Sequence, residues 1–155
     1  MTRGVDVGDK VEDFELPDES GTVRRLSELL GEGPVVLFFY PAALSPGCTA
    51  EACHFRDLAA EFAAAGARPV GVSGDAVDRQ QEFAGRHTLG FPLLSDADGK
   101  IREQFGVKRG FSLAPTKRVT FVIAEDRTVL EVVRSELRMS THADRALAAL
   151  RDREK

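Results

Sequence analysis

Seven consecutive apolar residues, Pro34-Val35-Val36-Leu37-Phe38-Phe39-Tyr40, limit the folds open to this chain more than any other segment. A strand with one face in water alternates apolar and polar residues, whereas a strand covered on both faces has no polar positions. The run is β-branched and aromatic, too short for a membrane span, and bounded by Gly33 and Pro41, so it reads as the central strand of a partly parallel sheet. The segments that follow agree. Thr49 to Ala65 reads as one helix stopped by Gly66, with Phe55, Leu58, Ala59 and Phe62 on its buried face. Arg68 to Ser73 reads as a second strand, and Asp75 to His87 as a helix capped by Ser73 or Asp75. Strand, helix, strand, helix is the pattern of right-handed parallel crossovers.

The flanks complete an α/β architecture. Val11 to Leu16 and Thr22-Val23, separated by Pro17-Asp18-Glu19-Ser20-Gly21, predict an N-terminal hairpin extension, and Ser27 begins a short helix. Phe91 to Leu94 is a short buried segment, and Lys100 to Phe105 a small helix closed by Gly106. Thr116 to Ala124 and Thr128 to Arg134 predict an antiparallel hairpin around Glu125-Asp126-Arg127. Ser140 or Thr141 caps a last helix with Ala143, Ala146, Leu147 and Leu150 on one face. The expectation is a single thioredoxin-like domain over residues 1–155, with a mixed central sheet and helices on both faces. At 155 residues and 43% apolar content, one core suffices without disulfide staples.

Composition removes other classes. The net charge of -4 is spread along the chain, which argues against a nucleic-acid footprint. No apolar stretch suits a membrane span or a secretory leader, so the expected location is the cytoplasm. No phosphate-loop or dinucleotide glycine pattern occurs. Cys48, Cys53, His54, His87 and His142 lack recognised zinc spacing, and no local signature supports cysteine-protease chemistry.

Two cysteines remain, five positions apart, and in a reducing compartment such a pair is reactive more often than structural. Cys48 falls where a helix begins after a Pro-Gly turn. The free N–H groups and the dipole of a helix start favour an anion, and a thiolate is one. The competing reading is a small buried residue in a first helical turn. At 100° per residue Cys48 turns toward the Phe55 stripe and Cys53 away from it. Their Cα atoms stand about 8.6 Å apart on an ideal helix, beyond the ~7 Å reach of a disulfide. A bond between them therefore requires the helix to unwind. Ser45 can place a hydroxyl beside Cys48. Arg118, on the same strand face as Thr120 and Val122, is a candidate guanidinium partner, although pattern alone favours a solvent-facing arginine.

The segment Phe39 to Asp57 resembles the active-site segment of peroxiredoxins. Pro41, Ser45 and Cys48 match the family pattern Pro-x-x-x-Thr/Ser-x-x-Cys. Pro46-Gly47-Cys48-Thr49, Glu51, Ala52 and Cys53 match the narrower pattern of the peroxiredoxin Q, or bacterioferritin comigratory protein, group. The likeness continues through Gly8-Asp9-Lys10-Val11, Phe14 to Pro17, Val70 to Ser73 and Phe91 to Asp96. It ends in Arg118 to Ile123, which matches the segment bearing the family's active-site arginine.

The resemblance implies a thiol peroxidase with no metal, flavin or other cofactor. Cys48 would be the peroxidatic cysteine and Cys53 the resolving one, joined after oxidation by an intramolecular disulfide and recycled by thioredoxin or a similar dithiol reductant. Ser45, Arg118 and the Cys48 N–H would bind the peroxide, Pro41 would shield the thiolate, and Glu51 would orient an arginine or lie solvated in the first turn. A monomer is expected. Most members carry Thr where this chain has Ser45, and Ala42-Ala43-Leu44 replaces more polar residues. A serine lacks the methyl group that pins the hydroxyl rotamer, so a lower rate or a changed peroxide preference is expected. A redox sensor without turnover and a thiol-disulfide oxidoreductase are the alternatives; the latter usually relies on a Cys-x-x-Cys pair, which is missing here.

Overall fold

The computed structural model describes residues 4–108 and 116–153. Its elements run β1 (Glu15–Pro17), β2 (Val23–Arg25), α1 (Leu26–Leu30), β3 (Val35–Phe39), α2 (Pro46–Asp57), α3 (Ala59–Ala64), β4 (Arg68–Ser73), α4 (Val77–His87), β5 (Leu93–Ser95), α5 (Lys100–Gln104), β6 (Val119–Ile123), β7 (Val129–Arg134) and α6 (Met139–Arg153). The main sheet has the order β5-β4-β3-β6-β7, with β3, β4 and β5 parallel and β6 and β7 antiparallel. β1 and β2 form a separate antiparallel pair.

The apolar run is the central strand, and all five residues of β3 are buried. Alternation sends Val35, Leu37 and Phe39 into one core, with α1 (Leu26, Leu29, Leu30) and Ile101 of α5. Val36, Phe38 and Tyr40 enter the other, with residues of α2, α3, α4 and α6. Each face of the strand thus has its own helical cover, the arrangement its composition requires. On the second face Phe38 stacks on Phe55 of α2 at 4.4 Å between ring centroids. That contact anchors α2 to the strand that leads into it.

Several local expectations differ from what forms. The helix expected over Thr49 to Ala65 starts earlier, at Pro46, and is two helices broken at Leu58 (φ -99°, ψ 12°). Phe55 and Phe62, on either side of the break, remain in the same core, as their seven-residue spacing already placed them. Neither Ser73 nor Asp75 caps α4, whose cap position is Ala76. The Asp75 carboxylate instead accepts the Ala43 N–H and the Ser73 hydroxyl, both at 2.7 Å, tying the loop after β3 to the end of β4. Ser140 and Thr141 lie inside the first turn of α6, not before it. The strand expected from Val11 shrinks to Glu15–Pro17; Val11 and Phe14 are core residues outside the ladder.

Candidate active site

After β3 the chain passes Pro41, turns at Leu44 and enters α2. Leu44 has a φ of 68°, a left-handed conformation unfavourable for a branched side chain, and Leu44 packs against the core beside Cys48. The turn delivers Ser45 to the N-cap with an extended backbone, and Pro46 occupies the first helical position, where its missing N–H costs nothing. Thr49 N–H donates to the Ser45 carbonyl at 2.9 Å, so the Gly47 and Cys48 amides precede the helical ladder. Cys48 is 1% exposed, its thiol in the apolar wall that includes Val36, Phe38 and Phe55.

Arg118 comes to this helix start from across the sheet. It is buried, not solvent-facing as its strand pattern suggests, and Thr120 and Val122 lie on its side of β6 as expected. Its Nη2 is 3.4 Å from Cys48 Sγ, and its Nη1 donates to Glu51 Oε1 at 2.7 Å. One guanidinium fork thus joins two residues one turn apart on α2. Its backbone N–H donates to Glu136 Oε2 at 3.0 Å. The space beside the cysteine is tight: a Cβ on Gly47 would lie 3.3 Å from Arg118 Nη2 and 3.2 Å from Met139 Cε, so a larger residue would need these side chains to give by a few tenths of an ångström. Although burial disfavours the charge, the Glu51 carboxylate and Cys48 hold Arg118 above its ordinary range.

Glu51 is fully buried and contacts the arginine, so the solvated first-turn alternative does not apply. Burial pushes its carboxyl up to about 8, against the pull of Arg118. His142, also fully buried, lies beyond it on α6, with Nδ1 3.6 Å from Glu51 Oε2. Burial pushes His142 below its ordinary range. No reading of the sequence singled out His142 for the site. Its position four residues before Ala146, on the apolar face of α6, was the available signal.

These shifts give stability a definite pH dependence. The unfolded chain ionises Glu51 near 4.5 and the folded protein near 8, so Glu51's stabilising contribution is full below 4.5 and is lost progressively up to about 8. His142 acts in the opposite sense, losing stability as pH falls below its unfolded value of 6.5. Between 6.5 and 8 the Glu51 effect outweighs the fading His142 effect, so Tm is expected to fall across that interval. In Glu51→Gln the fall is expected to flatten, as thermal unfolding at both ends would show; an equal slope in the two proteins would reject Glu51 as its source.

The remaining candidates sit around this centre. Ser45 is half-buried, and its hydroxyl donates to the Ala42 carbonyl at 2.8 Å. Pro41 is half-buried at the mouth of the turn. Cys53 is half-buried against the second core rather than turned wholly outward, and both cysteines are free thiols. Its neighbours pin α2 in place: His54 Nε2 is 2.8 Å from Asp144 Oδ1 on α6, and Arg56 Nη1 donates to the His87 carbonyl at 2.7 Å. Among the described residues, no cluster of His, Cys, Asp and Glu has metal-binding geometry, and no helix is long and apolar enough to cross a membrane.

Residues 7–132 match the model of the AhpC/TSA family. This chain belongs to that family. It is 39% identical to the chloroplastic peroxiredoxin Q of Sedum lineare over 137 residues, 88% of this chain and 73% of that protein. The crystal structure of peroxidoxin BcpB from Mycobacterium tuberculosis superposes with a TM-score of 0.92 at 61% identity, covering 95% of this chain and 97% of that one. A bacterioferritin comigratory protein from Xanthomonas campestris, described through its alkyl peroxide reduction activity, has a TM-score of 0.84 at 31% identity, with 95% and 100% covered. The fold is therefore the thioredoxin-like one of peroxiredoxins, and the family is one of peroxidases.

Proposed function

We propose that the chain reduces hydrogen peroxide and organic hydroperoxides by an atypical two-cysteine cycle in which Cys48 is oxidised and Cys53 resolves it. The observation that carries this reading is the Arg118 guanidinium 3.4 Å from a cysteine sulfur at the start of a helix. Both features favour a thiolate there. The alkyl peroxide reduction named for the Xanthomonas campestris relative supports organic hydroperoxides as substrates.

The Cys48 thiolate attacks one peroxide oxygen. An S–O bond forms, the O–O bond breaks, and the departing alkoxide or hydroxide takes a proton from water. Cys48 becomes a sulfenic acid as the peroxide is reduced. Arg118 and the Cys48 N–H stabilise the charge growing on the leaving oxygen. Ser45, whose hydroxyl proton is directed at Ala42, accepts a hydrogen bond from the peroxide O–H, and Pro41 covers the approach to the sulfur. The Cys53 thiol then condenses with the sulfenic acid: the S–S bond forms, the S–O bond breaks, and water leaves. A thioredoxin-type dithiol reduces the disulfide.

Ser45 already has a partner that fixes its rotamer, because the Ala42 carbonyl does what a threonine methyl does elsewhere. Ser45→Thr is accordingly expected to change the second-order rate with hydrogen peroxide by no more than a few-fold. A gain of an order of magnitude would mean that the hydroxyl is poorly held.

The cycle is tested by adding one equivalent of peroxide to the reduced protein. The expected product is one intramolecular Cys48–Cys53 disulfide, detected by peptide mapping, followed by repeated turnover when a thioredoxin system is supplied. Oxidation once without turnover would identify a sensor. Exchange with protein disulfides without peroxide reactivity would identify an oxidoreductase.

A further inference from the structure

Behind the Cys48–Arg118 pair lie two ionisable groups, Glu51 and His142, both with no exposed surface. Orienting the arginine explains one Glu51 oxygen and leaves His142 without a task. Hydrogen-bond geometry determines the imidazole's state. Nε2 is 2.8 Å from the Ser135 carbonyl, which only accepts, so Nε2 carries a hydrogen. Nδ1 is 2.8 Å from Thr120 Oγ1. In the neutral ring Nδ1 is a bare lone pair that the threonine hydroxyl satisfies as donor.

That same lone pair lies 3.6 Å from Glu51 Oε2, a buried oxygen with no hydrogen-bond partner. Two facing acceptors repel, and an orphaned buried anion is costly. A proton on Oε2 removes the anion and with it both difficulties: the imidazole, with Nε2–H committed to Ser135 and Nδ1 to Thr120, has no donor to give a carboxylate, while Oε1 still accepts from Arg118.

We propose that His142 is a positioning residue that holds Glu51 as the neutral acid when Cys48 is ionised, so that Glu51 and Cys48 exchange one proton across Arg118. The inference rests on the reading of Cys48 as the nucleophile and adds the control of its charge. The exchange balances: the Cys48 S–H bond breaks, a Glu51 O–H bond forms, and nothing is oxidised. The cluster keeps one cation and one anion in either state. With Glu51 charged, the guanidinium divides its field between two anions; with Glu51 neutral, it serves the thiolate alone.

Burial is the largest influence on both groups, and the charges around them act in both directions. Burial pushes Glu51 up to about 8, Arg118 opposes this, and Glu136 from the β7–α6 loop adds to it. Burial pushes His142 down, and Arg118 and Arg145 add to this, against the Ser135 bond and Glu136. Arg145 itself lies 3.7 Å from Glu131 of β7, and Asp144 on the outer side of α6 is paired with His54. His142 thus resists becoming the cation that would stabilise a charged Glu51.

The test follows the ultraviolet absorbance of the Cys48 thiolate through a pH titration of the reduced Cys53→Ser protein, which has a single thiol. His142→Gln supplies an amide donor to Oε2, favours the charged carboxylate, and is expected to raise the Cys48 midpoint by about one pH unit. Glu51→Gln is expected to leave the midpoint at or below that of the parent, and adding His142→Gln to it is expected to move the midpoint no further. An unmoved midpoint in His142→Gln, or the same shift with and without Glu51, would overturn the proposal. Should His142→Gln fail to fold, the Glu51→Gln protein still decides, since a raised midpoint there would show that a charged Glu51 supports the thiolate. The readout contains no peroxide. Lost peroxide reactivity with the shifts intact would count against the peroxidase cycle alone.

Discussion

Cys48→Ser is expected to bring peroxide-dependent turnover down to the uncatalysed level. The serine oxygen stays protonated at neutral pH, is a weak nucleophile there, and has no sulfenic state to pass on. The exchange is nearly isosteric. Cys48 is buried at the helix start, and the Arg118–Glu51 contact at 2.7 Å does not involve the sulfur, so the fold has little reason to change. A Tm within a few degrees of the parent, measured with the loss of turnover, separates lost chemistry from lost structure. Full turnover in this variant would show that the assignment of Cys48 is wrong.

Cys53→Ser is expected to divide the cycle in two. The first oxidation should proceed at close to the parent rate, because Arg118, Ser45 and the helix start are untouched, and a sulfenic acid should accumulate that a dimedone-type reagent traps. Turnover with thioredoxin should be lost. The geometry of α2 is the reason for the separation. Both cysteines are on one continuous helix, where ideal spacing holds their Cα atoms about 8.6 Å apart, too far for a disulfide. Resolution therefore needs the first turns to unwind, with the His54–Asp144 and Arg56–His87 ties around Cys53 resisting. Unimpaired steady-state turnover in Cys53→Ser would mean that an external thiol attacks the sulfenic acid directly, and no unwinding would then be needed.

Much of this was legible because the patterns were local or periodic. The uninterrupted apolar run can be satisfied only by cover on both faces, and β3 has it. The helix start at Cys48 follows from Pro46-Gly47, and the spacing of the cysteines from helix geometry. The break at Leu58 was not legible, since Ala59 to Ala65 is as helical in propensity as the residues before it. Phe55 and Phe62 do not demand it, because their seven-residue spacing brings both to the same core in a straight helix as well. Nor was Asp75 legible as a tether: a carboxylate just before a helix reads as a cap, and only the approach of the β3–α2 loop offers it the Ala43 N–H instead.

By itself, then, the sequence determined the α/β architecture, the nucleophile candidate and the geometric conflict between the two cysteines, because each depends on residues near one another in the chain. The tertiary structure decided what surrounds the sulfur. Arg118 lies 70 positions from Cys48, Glu51 is 67 from Arg118, and the Thr120–His142 contact spans 22. Whether such groups are solvated or buried together depends on how β6 and α6 pack against α2. That packing converts an arginine the strand pattern leaves in solvent into the fixed charge beside the thiol, and buries Glu51 against it.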